Sequence, residues 1–68
     1  MEELKKIRKK HNLTHQEMAD KLNVSKPFYW QIENNKRRLS YDMAFKIAAI
    51  FKTTPDKIFY KEYKNKEN

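Results

Sequence analysis

Two helical patterns separated by only Asn23 and Val24 are the feature that most constrains how this chain can fold. The first pattern begins at Thr14, which forms with Glu17 the sequence of a capping box, where hydroxyl and carboxylate satisfy each other's backbone donors. The second begins at Ser25, a favourable N-cap residue, and has a proline in its first turn. Because so short a turn cannot form an antiparallel hairpin of helices, we expect the two helices to cross steeply.

The chain contains no glycine, so asparagine has to supply the left-handed conformation that often ends a helix. Asn12, Asn23 and the pair Asn34-Asn35 stand where the apolar periodicity breaks. The pattern predicts an all-α fold, a compact bundle of five short helices. They are expected at about Glu2–Lys10, from Thr14, from Ser25, at about Tyr41–Phe51, and, for a short fifth helix, from Pro55.

Size and charge limit the possible functions. The 68 residues allow one domain, expected over residues 1–60 and followed by a short polar C-terminal tail over 61–68. Sixteen lysines and arginines against 9 acidic residues give a net charge of +7, which favours a polyanionic partner. The absence of cysteine excludes disulfides and thiolate metal sites. With neither a membrane-length apolar run nor a secretory leader, we expect a cytoplasmic protein.

The third helix should carry an outward strip of side chains suited to base recognition, namely Lys26, Pro27, Trp30, Gln31 and Asn34. Lysine can bond guanine O6 and N7, glutamine can bond adenine N6 and N7, and an apolar side chain can touch a thymine methyl group. A basic run follows this helix, formed by Lys36, Arg37 and Arg38. We expect the run to contact the DNA backbone.

Simpler interpretations of these residues stay open. Gln31 and Lys26 could be ordinary exposed helix residues, Pro27 could serve only to rigidify the cap, and the basic run could be a solvated loop. Trp30 fits contact with DNA, with a partner protein or with a neighbouring helix. Phe28 is expected to be half-buried, with an edge against the sugar-phosphate backbone.

Six short motifs follow one another in an order and spacing that is specific when they are taken together. They are Leu4-x-x-Ile7-Arg8, Leu13-Thr14-x-x-Glu17-Met18-Ala19, Leu22-Asn23-Val24-Ser25, Ile32-Glu33-Asn34-Asn35-Lys36-Arg37, Lys46-Ile47-Ala48 and Pro55-Asp56-x-Ile58-Phe59. Over about residues 2–60 the chain therefore resembles the lambda/Cro-type repressor DNA-binding domain, the XRE family.

The resemblance implies a helix-turn-helix formed by helices 2 and 3, with helix 3 in the major groove, commonly as a dimer on a palindromic operator. It implies base-edge contacts from Lys26, Pro27 and Gln31, to which we add Trp30. It places near phosphates Thr14, His15, Asn34, Lys36 and Arg38, to which we add Phe28 and Arg37. It also implies an internal ion pair between Arg8 and Glu33.

The chain departs from the family pattern where the family usually has glycine. These positions hold Asn23, Asn35 and Lys52. Asparagine tolerates the left-handed region better than lysine does, so the left-handed conformation is expected to be least favourable at Lys52.

Aromatic residues exceed what so small a core needs, among them Phe45, Phe51, Phe59, Tyr60 and Tyr63. We expect a homodimer interface through Phe51, Phe59, Tyr60 and Tyr63, because a small core gains from a second subunit. The open alternative is a satellite cluster beneath the C-terminal tail.

These observations favour a sequence-specific DNA-binding transcriptional regulator, a repressor acting as a homodimer on double-stranded DNA. A Cro-like phage repressor, a restriction-modification controller and a mobile-element regulator all fit, so the protein is expected to be bacterial or phage-encoded and associated with the nucleoid. The alternative is a protein-interaction module, such as an antitoxin or an adaptor, that binds its partner through Trp30 and the surplus aromatics.

An enzyme is not expected, because the sequence offers no nucleophile–base pair and no set of metal ligands. His11 and His15 have metal-ligand spacing, but the helix is expected to break between them at Asn12. Ser25 is best explained as a helix cap. We therefore expect no metal and no cofactor.

Overall fold

Five helices form the protein in a computed structural model that describes residues 1–66, with side chains described for residues 1–62. They are α1 (Glu2–Lys10), α2 (His15–Leu22), α3 (Lys26–Glu33), α4 (Tyr41–Ile50) and α5 (Pro55–Lys66). Residues 1–66 contain no strand. The all-α, five-helix prediction is confirmed. The fifth helix was expected to be short, and this was wrong, because α5 has 12 residues and is the longest of the five.

Side chains from the preceding loops cap the N-termini of α2, α3 and α4. The Thr14 hydroxyl accepts a hydrogen bond from the Glu17 backbone N–H at 3.0 Å, and the Glu17 carboxylate accepts one from the Thr14 backbone N–H at 2.9 Å. The capping box is thus confirmed. Ser25 and Ser40 cap α3 and α4 by accepting from backbone N–H groups three residues ahead. Each cap satisfies a donor that the helix itself leaves unpaired.

Residues in the left-handed conformation follow α1 to α4. They are Asn12, Asn23, Asn35 and Lys52, with φ between 55° and 58°. The residue after each of them donates its backbone N–H to a carbonyl five positions back, for example Lys36 to Gln31 at 2.7 Å. This is the hydrogen bond of a Schellman motif, built here without glycine. Lys52 holds the conformation without the local side-chain bonding that makes it easier for asparagine.

The core lies between the inner faces of all five helices. Its buried apolar residues are Leu4, Met18, Ala19, Leu22, Tyr29, Ile32, Ala44, Ile47, Ala48, Phe51, Ile58 and Phe59. Val24 packs against this cluster from the α2–α3 turn and is half-buried, so it anchors the turn. Two charged residues, Arg8 and Glu33, are buried with it.

Within residues 1–66, no helix is long and apolar enough to cross a membrane.

Candidate nucleic-acid interface

The outer face of α3 is open to solvent along the strip that the sequence marked for base contact. Tyr29 and Ile32 hold α3 against the core, with exposed fractions of 0% and 1%. Lys26 and Pro27 are exposed at the N-terminal end, and Trp30 is 44% exposed one turn further on. Gln31 is partly buried. The helical spacing thus brings the four expected base-contact residues onto the solvent side of one helix.

A buried ion pair fixes α3 to α1. Arg8 donates from Nε to Glu33 Oε2 at 2.9 Å and from Nη2 to Glu33 Oε1 at 3.0 Å. The remaining guanidinium nitrogen, Nη1, donates to the Leu13 carbonyl at 2.7 Å. The two-bonded geometry is the most specific way for arginine to meet a carboxylate. It holds the angle between α1 and α3, and therefore the position of the exposed strip.

Tyr29 completes this buried network. Its hydroxyl donates to Glu33 Oε2 at 2.6 Å, so the tyrosine that stands in the core has the partner a buried hydroxyl needs. Burial and the hydrogen bond to the carboxylate raise the pKa of Tyr29, which therefore stays protonated at neutral pH. Burial acts to raise the pKa of Glu33, but the hydrogen bonds from Arg8 and Tyr29 outweigh it and lower that pKa. The hydrogen bond to Glu33 raises the pKa of Arg8.

A shallow cleft lies beside this network, between α1, α2 and α3. It is lined by Lys5, Arg8, Lys9, His15, Trp30, Glu33 and Asn34. His15 turns its Nε2 toward Glu33 Oε1 at 3.4 Å and its ring toward Tyr29, with 6.1 Å between the ring centroids. The Asn34 side chain donates to the Trp30 carbonyl at 3.0 Å. Two of the residues expected near phosphates therefore line a cleft with positive charge on its α1 side.

The sequence interpretation did not assign Lys5 and Lys9 to this cleft. Their four-residue spacing places both on one face of α1, which was the available signal. Which neighbouring helix that face would meet depends on the packing of α1.

The basic run after α3 does not form a uniform solvated loop. Lys36 and Arg38 are exposed. Arg37 is exposed too, but it lies over the Phe28 ring, with its guanidinium carbon 4.6 Å from the ring centroid. The Arg37 Nε donates to Gln31 Oε1 at 2.9 Å. The structure thus joins one expected base-contact residue to two expected backbone-contact residues, and no sequence motif had indicated this.

The expected dimer residues divide into two groups. Phe51 and Phe59, which were expected at a dimer interface, are 8% and 1% exposed, so their side chains pack in the core of one chain. Tyr60 is 60% exposed. The side chain of Tyr63 lies outside the described residues. Two further exposed aromatic residues, Tyr41 and Phe45 on α4, have ring centroids 4.9 Å apart.

The two histidines turn to different neighbours. His11 has its Nδ1 at 2.9 Å from the Ile7 carbonyl and its ring 5.0 Å from that of Phe51. His15 faces Glu33 as described above. Among the side chains described for residues 1–62, no group of three or more histidines and carboxylates could hold a metal ion.

A helix-turn-helix family model matches residues 4–58, which is most of the chain. The chain belongs to the helix-turn-helix family. This confirms the resemblance to the lambda/Cro-type, or XRE, domain. The match includes α2, α3 and the turn between them, and both members of the Arg8–Glu33 pair.

Two relatives of this helix-turn-helix chain are themselves named uncharacterized HTH-type transcriptional regulators. One, from Methanocaldococcus jannaschii, is 42% identical over 59 residues, which are 87% of this chain and 89% of the relative. The other, from Bacillus subtilis, is 40% identical over 55 residues, which are 81% of this chain but only 47% of the relative. The chain therefore spans about half the length of the second protein. No solved structure matches the chain.

Proposed function

We propose that this helix-turn-helix protein is a sequence-specific DNA-binding transcriptional regulator, and that it represses by occupying a palindromic operator as a homodimer. The observation that carries the proposal is the exposed outer strip of α3, held in place by the buried Arg8–Glu33 pair and followed at once by cationic side chains. The names of the two relatives, both HTH-type transcriptional regulators, agree with it.

In the proposed complex α3 enters the major groove. Lys26, Pro27, Trp30 and Gln31 meet base edges, because they share the solvent side of the helix. The backbone contacts come from residues at the two ends of the helix-turn-helix and after it, namely Thr14, His15, Phe28, Asn34, Lys36, Arg37 and Arg38. Phosphate contacts supply affinity and orientation, and base-edge contacts supply the choice of sequence.

The proposed homodimer reads two half-sites on one side of the duplex, about 10 base pairs apart centre to centre. Tyr60 supports this part of the proposal, because a large aromatic side chain 60% exposed near the end of the domain is available to a second copy. The dimer also explains how a domain of this size gains the binding surface that a single reading helix lacks.

A test of DNA binding is the dependence of affinity on salt. The logarithm of the association constant should fall linearly with the logarithm of salt concentration, with a slope of about −0.9 per neutralised phosphate. Lys36→Ala should make that slope shallower by about 1. Lys57→Ala on α5 removes the same charge far along the chain and should leave the slope unchanged. A flat salt response in the parent protein would exclude the proposed mode of binding.

Selection of bound sequences from random duplex DNA tests the specific part of the proposal. A palindrome with half-sites about 10 base pairs apart is the expected result. Salt-dependent binding with no enriched sequence would leave the protein a general DNA binder and contradict the operator.

One observation favours a second candidate, a protein-interaction module such as an antitoxin or an adaptor. Tyr41 and Phe45 are 67% and 53% exposed and lie against each other on α4. Exposed aromatic clusters are enriched where proteins meet. Loss of a protein partner in Trp30→Ala or Phe45→Ser, with duplex binding unaffected, would favour this candidate over the first.

A further inference from the structure

The chain reverses direction directly after α3. Asn35 takes the left-handed conformation at φ 58°, its N–H donates to the Ile32 carbonyl at 3.2 Å, and the Lys36 N–H donates to the Gln31 carbonyl at 2.7 Å. This arrangement turns the backbone back along the helix that it has just left. Arg37, the next residue, is therefore carried onto the outer side of α3.

Arg37 is held there by two contacts of different kinds. Its guanidinium lies 4.6 Å above the Phe28 ring, within the range of a cation–π interaction. Its Nε donates to Gln31 Oε1 at 2.9 Å. Phe28 and Gln31 are three residues apart and so share one face of α3, which lets a single planar guanidinium reach both. Phe28 is half-buried and packs against the core, so the platform beneath Arg37 is fixed.

The hydrogen bond also fixes which end of the Gln31 amide is engaged. Arginine has only N–H donors, so the atom that it meets must be the carbonyl oxygen Oε1 and not the amide nitrogen. The Gln31 Nε2 group, with its two hydrogens, makes no hydrogen bond to Arg37. Gln31 therefore presents donors.

This orientation matters for base recognition. A glutamine that reads adenine uses both ends of its amide at once, Oε1 accepting from N6 and Nε2 donating to N7. Both atoms must then face the base in one plane. Because Arg37 already uses one of the two lone pairs of Oε1, the two-bonded pairing with adenine has a competitor, whereas the donating end of the amide has none. Guanine, which presents the acceptors O6 and N7 side by side, suits such a donor.

We propose that Arg37 is a positioning residue that sets the base preference of Gln31, directing it to guanine rather than to adenine. The inference rests on the proposed function, in which α3 reads the major groove. It changes the expected role of Arg37 from a phosphate contact to an intramolecular one, while Lys36 and Arg38 keep theirs. It also gives Phe28 a role, as the platform on which Arg37 lies.

The experiment is site selection followed by competition binding with four proteins: the parent, Arg37→Lys, Lys57→Arg and Gln31→Ala. The base pair that Gln31 reads is the one whose preference disappears in Gln31→Ala. Arg37→Lys keeps the positive charge but loses the planar group and its Nε–H. Lys57→Arg exchanges the same two residue types at an exposed position on α5, outside the proposed DNA-contacting residues, and serves as the matched control.

At that base pair the parent should favour guanine over adenine by about tenfold, the size of one good base contact. In Arg37→Lys the guanine-to-adenine ratio should fall by about tenfold, because both ends of the Gln31 amide become available. Lys57→Arg should keep the parent ratio. The salt slope and the affinity for unrelated DNA should be the same in the parent and in Arg37→Lys, since no charge is removed.

Two results would overturn the inference. One is a parent preference for adenine at the Gln31 base pair, and the other is an unchanged ratio in Arg37→Lys. A parent protein that selects no sequence at all is a different outcome, because it refutes the proposed function from which the inference starts.

Discussion

Glu33→Ala is the change from which the structure predicts the largest loss of stability. The Glu33 carboxylate is fully buried and accepts hydrogen bonds from Arg8, at 2.9 and 3.0 Å, and from Tyr29, at 2.6 Å. Without it, an arginine that is 7% exposed keeps one hydrogen bond from its guanidinium, to the Leu13 carbonyl. Breaking a buried pair from one side costs about 3–5 kcal/mol. The orphaned tyrosine hydroxyl adds about 1–3 kcal/mol.

That loss is large relative to the total free energy of unfolding. A domain of 68 residues is expected to have a free energy of unfolding of about 3–10 kcal/mol. Glu33→Ala should therefore leave the protein largely unfolded or close to its midpoint without denaturant. Urea unfolding at neutral pH, followed by circular dichroism, measures the difference, and a stabilising salt such as sulfate brings the variant back into range if it is unfolded in water.

Two variants separate the contributions to this loss. Glu3→Ala makes the same substitution at a glutamate whose side chain is 43% exposed and whose carboxylate lies 3.6 Å from the Lys6 ammonium, and it should change the free energy of unfolding by less than about 0.5 kcal/mol. Tyr29→Phe removes the hydroxyl alone and leaves the Arg8 bonds, so a loss of about 1 kcal/mol is expected.

The reasoning also predicts a recovery. Replacing all three members of the network together, as Arg8→Met, Tyr29→Phe and Glu33→Leu, removes every charge that would be left alone and should restore most of the stability lost in Glu33→Ala. A decrease in the free energy of unfolding of less than about 1 kcal/mol in Glu33→Ala would refute this reasoning, because a desolvated ion pair costs more than that to break.

Three further predictions concern acid, the left-handed lysine and the proposed dimer. The pKa of Glu33 is lowered in the native state from its ordinary 4.5, so unfolded chains bind this proton first. The free energy of unfolding should thus decline as pH falls below about 4.5 and through the native pKa, and a urea midpoint that stays constant down to pH 3 would contradict the assignment. Lys52→Asn should raise the free energy of unfolding by about 0.5–1 kcal/mol, since asparagine adopts φ 55° more easily, and thermal unfolding with no gain would argue against that conformation. Tyr60→Ser should shift sedimentation toward the monomer while Phe45→Ser does not, and the opposite pattern would move the dimer surface to α4.

Most of the fold could be predicted from the sequence because most of it is decided locally. Thr14, Ser25 and Ser40 each bond a backbone group three residues away, and the Asn at positions 12, 23 and 35 ends a helix through its own backbone preference. Interactions this short depend on the neighbouring residue types alone. The length of α5 was missed because its polar C-terminal turns have little apolar periodicity to mark them.

The candidate site was only partly predictable. Helical periodicity indicates which side of α3 faces solvent, so Lys26, Pro27 and Trp30 could be assigned to an outer strip from the sequence alone. The resemblance to a known family supplied the Arg8–Glu33 pair, whose members are 25 residues apart in the chain. Neither periodicity nor resemblance indicated that Arg37 would lie on Phe28 and bond Gln31.

Local sequence signals specify the five helices, the turn between α2 and α3, and a cationic chain with an exposed face on α3. The tertiary structure decided which side chains meet. It packed Phe51 and Phe59 into the core of one chain. It also joined Arg37 to Gln31. Contacts between residues distant in sequence, or across a chain reversal, depend on how the helices pack, and packing is a property of the whole assembled core.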